Sequence, residues 1–472
     1  MSGTQTSPGK QPPHLVLGID IGTTTVKVCL VSANNRQVVQ SGSRETKSSL
    51  ASELGPLGSE QDVHKICTAL QFCVSRLPKE SLVRVTHVAV SGQMHGCVLW
   101  KKGNGWRRNN FGRYETEQVS VLYTWQDGRC SEEFLASLPK PDSHLRLSAG
   151  HGCATLLWLA RNKPDLIAEY DAAGTVQDLV VAMIAGLEQP VMSAQNAAGW
   201  GYFDTETRTW NIDRLKEAGF PLHLLPEVTI AGNIVGRMPC AWYGIPEGTP
   251  VFAALGDLQC SVFSSMETDH DAVMNLSTSA QLSFLLPEDF KPPPSVSTSP
   301  IEYFPYFKGR YLAVAASLNG GNVLAAFVKM LQQWTHELGL GVPETKIWER
   351  ITALAQDDCS TETEMDICPT LYGERHLFGE QRAVVRNIDP YSLGLGKVSR
   401  SLFRGLISNL RSMMPRDVLV DAGIQRIIGS GTALTRNPVL QKELETQYDL
   451  PVVYGTGADA AVGVALAVLP YL

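Results

Sequence analysis

Leu17-Gly-Ile-Asp-Ile-Gly-Thr-Thr-Thr-Val-Lys27 packs an apolar strand, an acid, a glycine turn and three hydroxyls into one short stretch. Val16, Leu17 and Ile19 are strand formers, Gly18 and Gly22 let backbone approach a ligand or turn sharply, and the strand resumes over residues 26–31. A hairpin tip carrying Thr23, Thr24 and Thr25 gathers N–H and O–H donors at one spot, where they suit phosphate oxygens without a lysine-rich loop. Asp20, at the strand end facing that spot, suits a hydrated magnesium ion, because Mg²⁺ keeps several waters and takes few carboxylates. An ordinary hairpin with a turn acid shares this local pattern, so the choice rests on the remaining chain.

The chain has 472 residues, more than one hydrophobic core usually organises, which predicts two domains with room for a cleft between them. Its 44% apolar and 18% charged residues are those of an ordinary globular protein, and no apolar stretch approaches the roughly 20 residues that cross a bilayer. A net charge of −7 without long charged runs argues against nucleic acid or an anionic membrane as the main partner and for a small ligand. The ten cysteines never form Cys-x-x-Cys, so buried free thiols in a reducing compartment are expected. Residues 1–13 are polar and rich in Pro, Gly and Ser, which reads as a flexible tail and not a signal peptide, and a cytoplasmic location is the default.

After the hairpin, residues 38–47 offer a third strand, and Ser59 is placed to cap a helix with apolar positions Val63, Ile66, Cys67, Leu70, Val74 and Leu77. A strand over 83–90 ends in Ser91-Gly-Gln-Met-His-Gly96, making an α/β sheet with Gln93 and His95 exposed at its C-terminal edge. A strand over 119–124 delivers Trp125-Gln-Asp-Gly-Arg129, whose indole, amide, carboxylate and guanidinium suit a polyhydroxylated ligand. The same cluster also fits a turn held by an Asp–Arg ion pair beside a core tryptophan. Residues 193–203 carry no legible function. The strand 251–255 runs into Gly256 and places Asp257 at a strand-to-helix turn, a position equally suited to capping and to accepting a hydroxyl proton.

A polar connector near 268–271 marks the expected domain boundary, and the opening pattern then returns: residues 272–286 read as strand, hydroxyl turn (Ser277, Thr278, Ser279) and strand, suggesting a structural repeat. A plain Ser/Thr hairpin is the alternative. The strand 311–316 leads to Asn319-Gly-Gly-Asn322 and a helix over 323–334, whose N-terminus, with Gly320 and Gly321, offers N–H donors to an anion. Tyr372-Gly-Glu-Arg375 is a compact polar corner. The turn after residue 428, with Gly431, Thr432 and Asn437, is small enough to admit a flat ring. Gly455-Thr-Gly-Ala-Asp-Ala460 looks like a dinucleotide fingerprint but has no βαβ unit after it, and no P-loop occurs.

In this order, these residues resemble the FGGY carbohydrate kinases across about residues 14–470. The match includes Gly18-Ile-Asp-Ile-Gly-Thr-Thr, Gly92-Gln-Met-His-Gly, Trp125-Gln-Asp-Gly-Arg, Leu224-Leu-Pro-Glu-Val, Gly248-Thr-Pro-Val, Gly256-Asp, Gly373-Glu-Arg and Gly429-Ser-Gly-Thr. The resemblance implies two RNase H-like α/β domains of the actin, Hsp70 and sugar kinase superfamily, at 14–266 (sugar) and 267–472 (nucleotide), with the active site in an interdomain cleft. It implies ATP-dependent phosphorylation of a ketose with Mg²⁺, and leaves the ketose length and the monomer or homodimer state open. Asp257 falls on the family's catalytic base, and Asp20 with Asp257 on the metal site. Asp20, Gly22, Thr23, Thr24, Lys27, Ser277, Thr278, Ser279, Gly320 and Gly321 fall on the phosphate side, and Gly431, Thr432 and Asn437 near adenosine. Gln93, Met94, His95, Trp125, Asp127 and Arg129 fall on or beside sugar-contacting segments. His376-Leu377 departs from the usual Thr-Pro, and the adenosine turn is longer than the common form. A nucleotide-dependent sensor with the same clamp but no catalysis is the alternative of another class.

Overall fold

The computed structural model describes residues 14–296, 298–357, 365–377, 382–455 and 459–472. The expected tail, 1–13, and the middle of the Gly455–Ala460 stretch lie outside these. The chain divides between Ser264 and Ser265 into two compact units, and Asp459–Leu472 belongs to the first. The sequence assigns those last residues to the second half. They join the first because their helix is apolar on nearly every face and lies on that unit's central strands.

In the first unit, strands β1 (Leu15–Ile21), β2 (Thr25–Ser32) and β3 (Val38–Glu45) run antiparallel. β4 (Val85–Gly92) lies parallel to β1 on its other side. β5 (Ile234–Arg237), β6 (Pro250–Phe252) and β7 (Leu255–Gly256) complete a sheet of order β5-β6-β4-β1-β2-β3, with β7 also paired to β4. β1 is buried along its whole length, as a central strand covered on both faces must be, so it reads as a continuous apolar run instead of an alternating one. Helix α1 (Val63–Ser75) packs on β2 and β3; α2 (Val176–Ala185) lies beside β4 and β6. Ser59 is not the cap of α1. Asp62 is, accepting from Lys65 N at 3.2 Å, while Ser59 is taken up by Thr124 and Asp127. The expected strand over 119–124 shrinks to Leu122–Tyr123. Two short helices, α3 (Ala194–Trp200) and α4 (Asp257–Ser265), stand at the C-terminal edge of this sheet.

The second unit repeats the plan. β8 (Asp271–Leu276) and β9 (Ala280–Leu285) form the second hairpin. β10 (Ile301–Pro305) and β11 (Tyr311–Ser317) extend it antiparallel. β12 (Arg426–Ser430) and β13 (Val452–Tyr454) add parallel strands beyond β8. Counting strands in chain order within each unit, the first sheet reads 3-2-1-4-6-5 and the second 3-4-2-1-5-6; in both, the opening hairpin is continued beyond its first strand by two parallel strands. Helices α5 (Gly321–Glu337), α6 (Glu344–Asp357) and α7 (Leu395–Met413) enclose the core, followed by α8 (Thr432–Thr435) and α9 (Pro438–Tyr448). α10 (Ala460–Val468) crosses β1, β2 and β4 of the first unit. Gly18 is required there, since a Cβ on it would lie 2.1 Å from the Ala461 carbonyl oxygen.

Candidate active site

Parallel pairing aligns Asp20 with Ser91 and Gly256 with Gly92, so the ends of β1, β4 and β7 bring Asp20 and Asp257 to one sheet edge. Asp20 is buried and accepts from Ser91 Oγ at 3.3 Å. Burial pushes its carboxyl up to about 8; the charge of Asp257 adds to this, Lys27 opposes it and Asp459 adds again. Asp257 is the first residue of α4, partly exposed, with Oδ1 accepting from Leu258 N at 2.8 Å. Burial raises its carboxyl to about 7 against the backbone N–H groups that favour the anion. Asp459, which the sequence does not single out, caps α10 and stands 3.8 Å from Lys27 Nζ.

Next to Asp257, a Cβ on Gly256 would lie 2.8 Å from Met94 Sδ, which brings the Met94 turn against the acid's own turn. His95 holds a left-handed backbone (φ 75°), uncommon for a residue with a side chain. Its Nδ1 is 2.7 Å from Gly199 O, and its ring stacks on His151 at 4.8 Å. α3, the segment without a legible function, pins both turns. Trp200 Nε1 donates to Gly96 O (3.0 Å), Asn196 Nδ2 to Ala254 O (3.2 Å), and Gly256 N to Gln195 Oε1 (3.4 Å). No local signal marks α3, because its partners are residues about 60 to 100 positions away.

Gln93 is buried, against its expected exposure. Its Nε2 donates to Gln61 Oε1 at 3.1 Å, and its Oε1 lies 3.4 Å from Thr23 Oγ1. Trp125 Nε1 donates to the same Thr23 hydroxyl at 3.0 Å, and Gln61 Nε2 to Thr23 O at 2.6 Å. The Thr23 side chain is therefore engaged within the unit, while Thr24 at the tip is exposed. Asp127 and Arg129 are also turned inward. Arg129 Nε and Nη2 grip Asp127 at 2.6 and 2.9 Å, Nη2 reaches Glu60 at 2.8 Å, and Ser59 N fills Asp127 Oδ2. With both carboxylate oxygens used and Arg129 against the Tyr123 ring, the pair braces the Trp125 loop and presents neither group to a ligand.

In the second unit the Ser277–Ser279 turn meets the start of α5. Gly321 N donates to Ser277 O (2.7 Å) and Asn322 N to Thr278 O (3.0 Å), while Gly320 N and Val323 N are satisfied by Asn322 Oδ1. Gly320 and Gly321 therefore serve close packing and are not free anion donors as the sequence suggests; Cβ atoms there would lie 2.5 and 2.4 Å from Ser279 C and Ser277 O. Beside this turn opens a cavity of about 1030 Å³ lined by Ser277, Thr278, Asn322, Thr432, Asn437 and Tyr372. α6 contributes Trp348, Thr352 and Gln356, and Lys329 and Arg436 add positive charge; the sequence reading missed all five. The spacing of the α6 residues, four apart on one helix face, was the available signal. Gly431 (φ 90°), the residue before the lining Thr432, has no room for a side chain against the Leu276 carbonyl, and Asn437 Oδ1 caps α9. The cavity is large enough for a nucleotide.

Among the described residues no group of three or more His, Cys, Asp or Glu is arranged to hold a metal ion. Two carboxylates with raised proton affinity still fit Mg²⁺, which takes few protein ligands and would relieve their mutual repulsion.

Residues 15–264 match the model of the N-terminal domain of the FGGY family of carbohydrate kinases. The chain belongs to this family. It is 49% identical over 469 residues to sedoheptulokinase of Mus musculus and 48% identical over 467 residues to that of Homo sapiens, covering 96% of this chain and 97% of each relative. Among solved structures, gluconate kinase from Lactobacillus acidophilus superposes with a TM-score of 0.77 at 18% identity, over 97% of this chain and 89% of that one, a match that shows the FGGY fold alone. The fold and the family are thus those that the ordered motifs predict.

Proposed function

We propose that this FGGY kinase transfers the γ-phosphoryl group of ATP to sedoheptulose, giving sedoheptulose 7-phosphate and ADP. The observation that carries the mechanism is Asp257: a partly exposed carboxyl poised near neutrality, at a strand-to-helix turn touching Met94 and beside Asp20. Near-full-length identity to the sedoheptulokinases supports the seven-carbon substrate over other ketoses.

We assign the ketose to Met94, His95 and the Trp125 side of the first unit, with Asp127, Arg129 and α3 holding these groups in place. Asp257 accepts the terminal hydroxyl's proton as that oxygen bonds to the γ-phosphorus, and the bond from phosphorus to the β-phosphate oxygen breaks to release ADP. General-base assistance of this kind supplies about 10²- to 10⁴-fold, and positioning and charge neutralisation supply the rest. Adenosine and phosphates are assigned to the cavity of the second unit, with Ser277, Thr278, Lys329 and Arg436 toward the phosphates and Gly431, Thr432 and Asn437 along the nucleoside. Asp20 and Asp257 would hold Mg²⁺, which when bound neutralises phosphate charge. Among the described residues no helix is long and apolar enough to cross a membrane and the described cysteines form no disulfides, which supports a cytoplasmic site of action.

Measuring ADP release with five-, six- and seven-carbon ketoses tests the substrate: the highest kcat/KM is expected for sedoheptulose. A five-carbon ketose turned over faster would make the chain a pentulose kinase, and nucleotide binding without sugar-stimulated turnover would make it a sensor.

A further inference from the structure

The polar corner Tyr372-Gly-Glu-Arg375 holds a carboxylate that the reading above leaves without a role. Glu374 is buried, 7% exposed, and has no lysine or arginine partner among the described residues. Its Oε1 accepts from Ser317 Oγ (2.5 Å), Asn409 Nδ2 (2.8 Å) and Asn319 Nδ2 (3.0 Å), and its Oε2 lies 3.4 Å from Leu318 N. Two segments distant from the corner converge on it: residues 317–319 at the end of β11, and Asn409 on α7. Asn319 closes the arrangement by donating to Gly373 O at 2.8 Å and accepting from Tyr372 N at 3.0 Å.

What these bonds fix is the backbone of residues 317–319, immediately before Gly320 and Gly321. Those glycines lie backbone to backbone on the Ser277–Ser279 turn, with no room for a Cβ and with Gly321 N and Asn322 N bonded to the turn's carbonyls. A shift of 317–319 therefore moves the turn that lines the cavity. Carboxylate oxygens suit this task because each accepts several donors, whereas the donors of 317–319 and of Asn409 have no common acceptor once Glu374 is gone.

We propose that Glu374 is a positioning residue for the nucleotide: it sets the Ser277–Thr278 wall through Asn319 and the paired glycines without touching the ligand. This rests on the assignment of the cavity to ATP.

The test compares Glu374→Ala, Glu374→Gln and Asn409→Ala in the full chain, reading ADP affinity by calorimetry and KM for ATP and for ketose separately. Glu374→Ala is expected to weaken ADP and raise the KM for ATP by about tenfold or more, while the KM for ketose stays within about twofold. Glu374→Gln, whose Oε1 can still accept from Ser317, Asn319 and Asn409, is expected to recover most of the affinity. Should Glu374→Ala not fold, Asn409→Ala is read in its place, with a loss of ADP affinity of about threefold or more expected from the loss of its bonds to Glu374 and Ser317. Wild-type ADP affinity in a folded Glu374→Ala protein, or equal losses for ADP and ketose, overturns the proposal. A wild-type protein that binds no ADP overturns the nucleotide assignment and this inference with it.

Discussion

Asp257 and Asp127 are both aspartates in sequence motifs, yet their surroundings leave them differently available. Asp127 has each oxygen filled by Arg129 or Ser59, and it has nothing left to offer a hydroxyl. Asp257 accepts only from backbone at its own turn, Leu258 N included, and has a proton affinity raised by burial to about 7. A base must be ionised to act, so acid titrates it out of use. Because Mg²⁺ held by Asp257 would favour its ionised form, the expected outcome is a kcat/KM that falls about tenfold per pH unit on the acid side of a midpoint below about 7 and levels above it, measured between pH 5.5 and 8.5 with ketose well below KM. Asp257→Ala is expected to lower kcat by about 10²-fold or more with the far-ultraviolet circular dichroism unchanged. Wild-type turnover in that variant removes the base role.

At the scale of elements, the first unit depends on a helix from the far end of the chain. α10 lies so close to β1 and α4 that Gly18 and Gly463 have no space for a side chain: their Cβ atoms would lie 2.1 and 1.8 Å from the carbonyl oxygens of Ala461 and Cys260. The same helix begins at Asp459, which takes part in the charge balance around Asp20 and Lys27. Gly18→Ala is expected to cost about 1–3 kcal/mol in urea unfolding, since the strand or helix must shift to make room. Gly42→Ala, whose nearest neighbour would be Val28 Cγ2 at 3.9 Å, is the control and should stay within about 0.5 kcal/mol. Similar values for the two would show that α10 does not hold β1 this tightly.

For the whole molecule, stability should fall as pH rises through neutrality. Asp20, Asp178 and Asp257 are raised by burial to about 8, 7 and 7, so between the unfolded carboxylate value near 4 and those values the native state holds protons that the unfolded chain has released. Their contribution is full below pH about 4 and is lost as pH rises past 7 to 8. Asp271 works the other way: burial opposes ionisation, but Arg426 and the N–H groups of Thr268 and Glu267 hold it down to about 2, so its contribution is lost only in strong acid. Urea midpoints without Mg²⁺ at pH 5.5, 6.5 and 7.5 should therefore decline, and Asp178→Asn, outside the proposed site, should flatten part of the decline; a rising series contradicts this. What the sequence by itself determined is local or repeated along the chain: two hairpins with hydroxyl tips, Asp20 at a strand end, Asp257 at a strand-to-helix turn, and the order of motifs that marks the family. Such features follow from strand period, turn composition and neighbours a few residues apart. Only the tertiary structure decided which of those groups remain available, because Thr23, Gln93, Asp127 and the N–H groups of Gly321 and Asn322 are engaged by partners distant in sequence. It also decided that Asp459–Leu472 completes the first unit, since a helix apolar on nearly every face must be buried but does not itself specify against what.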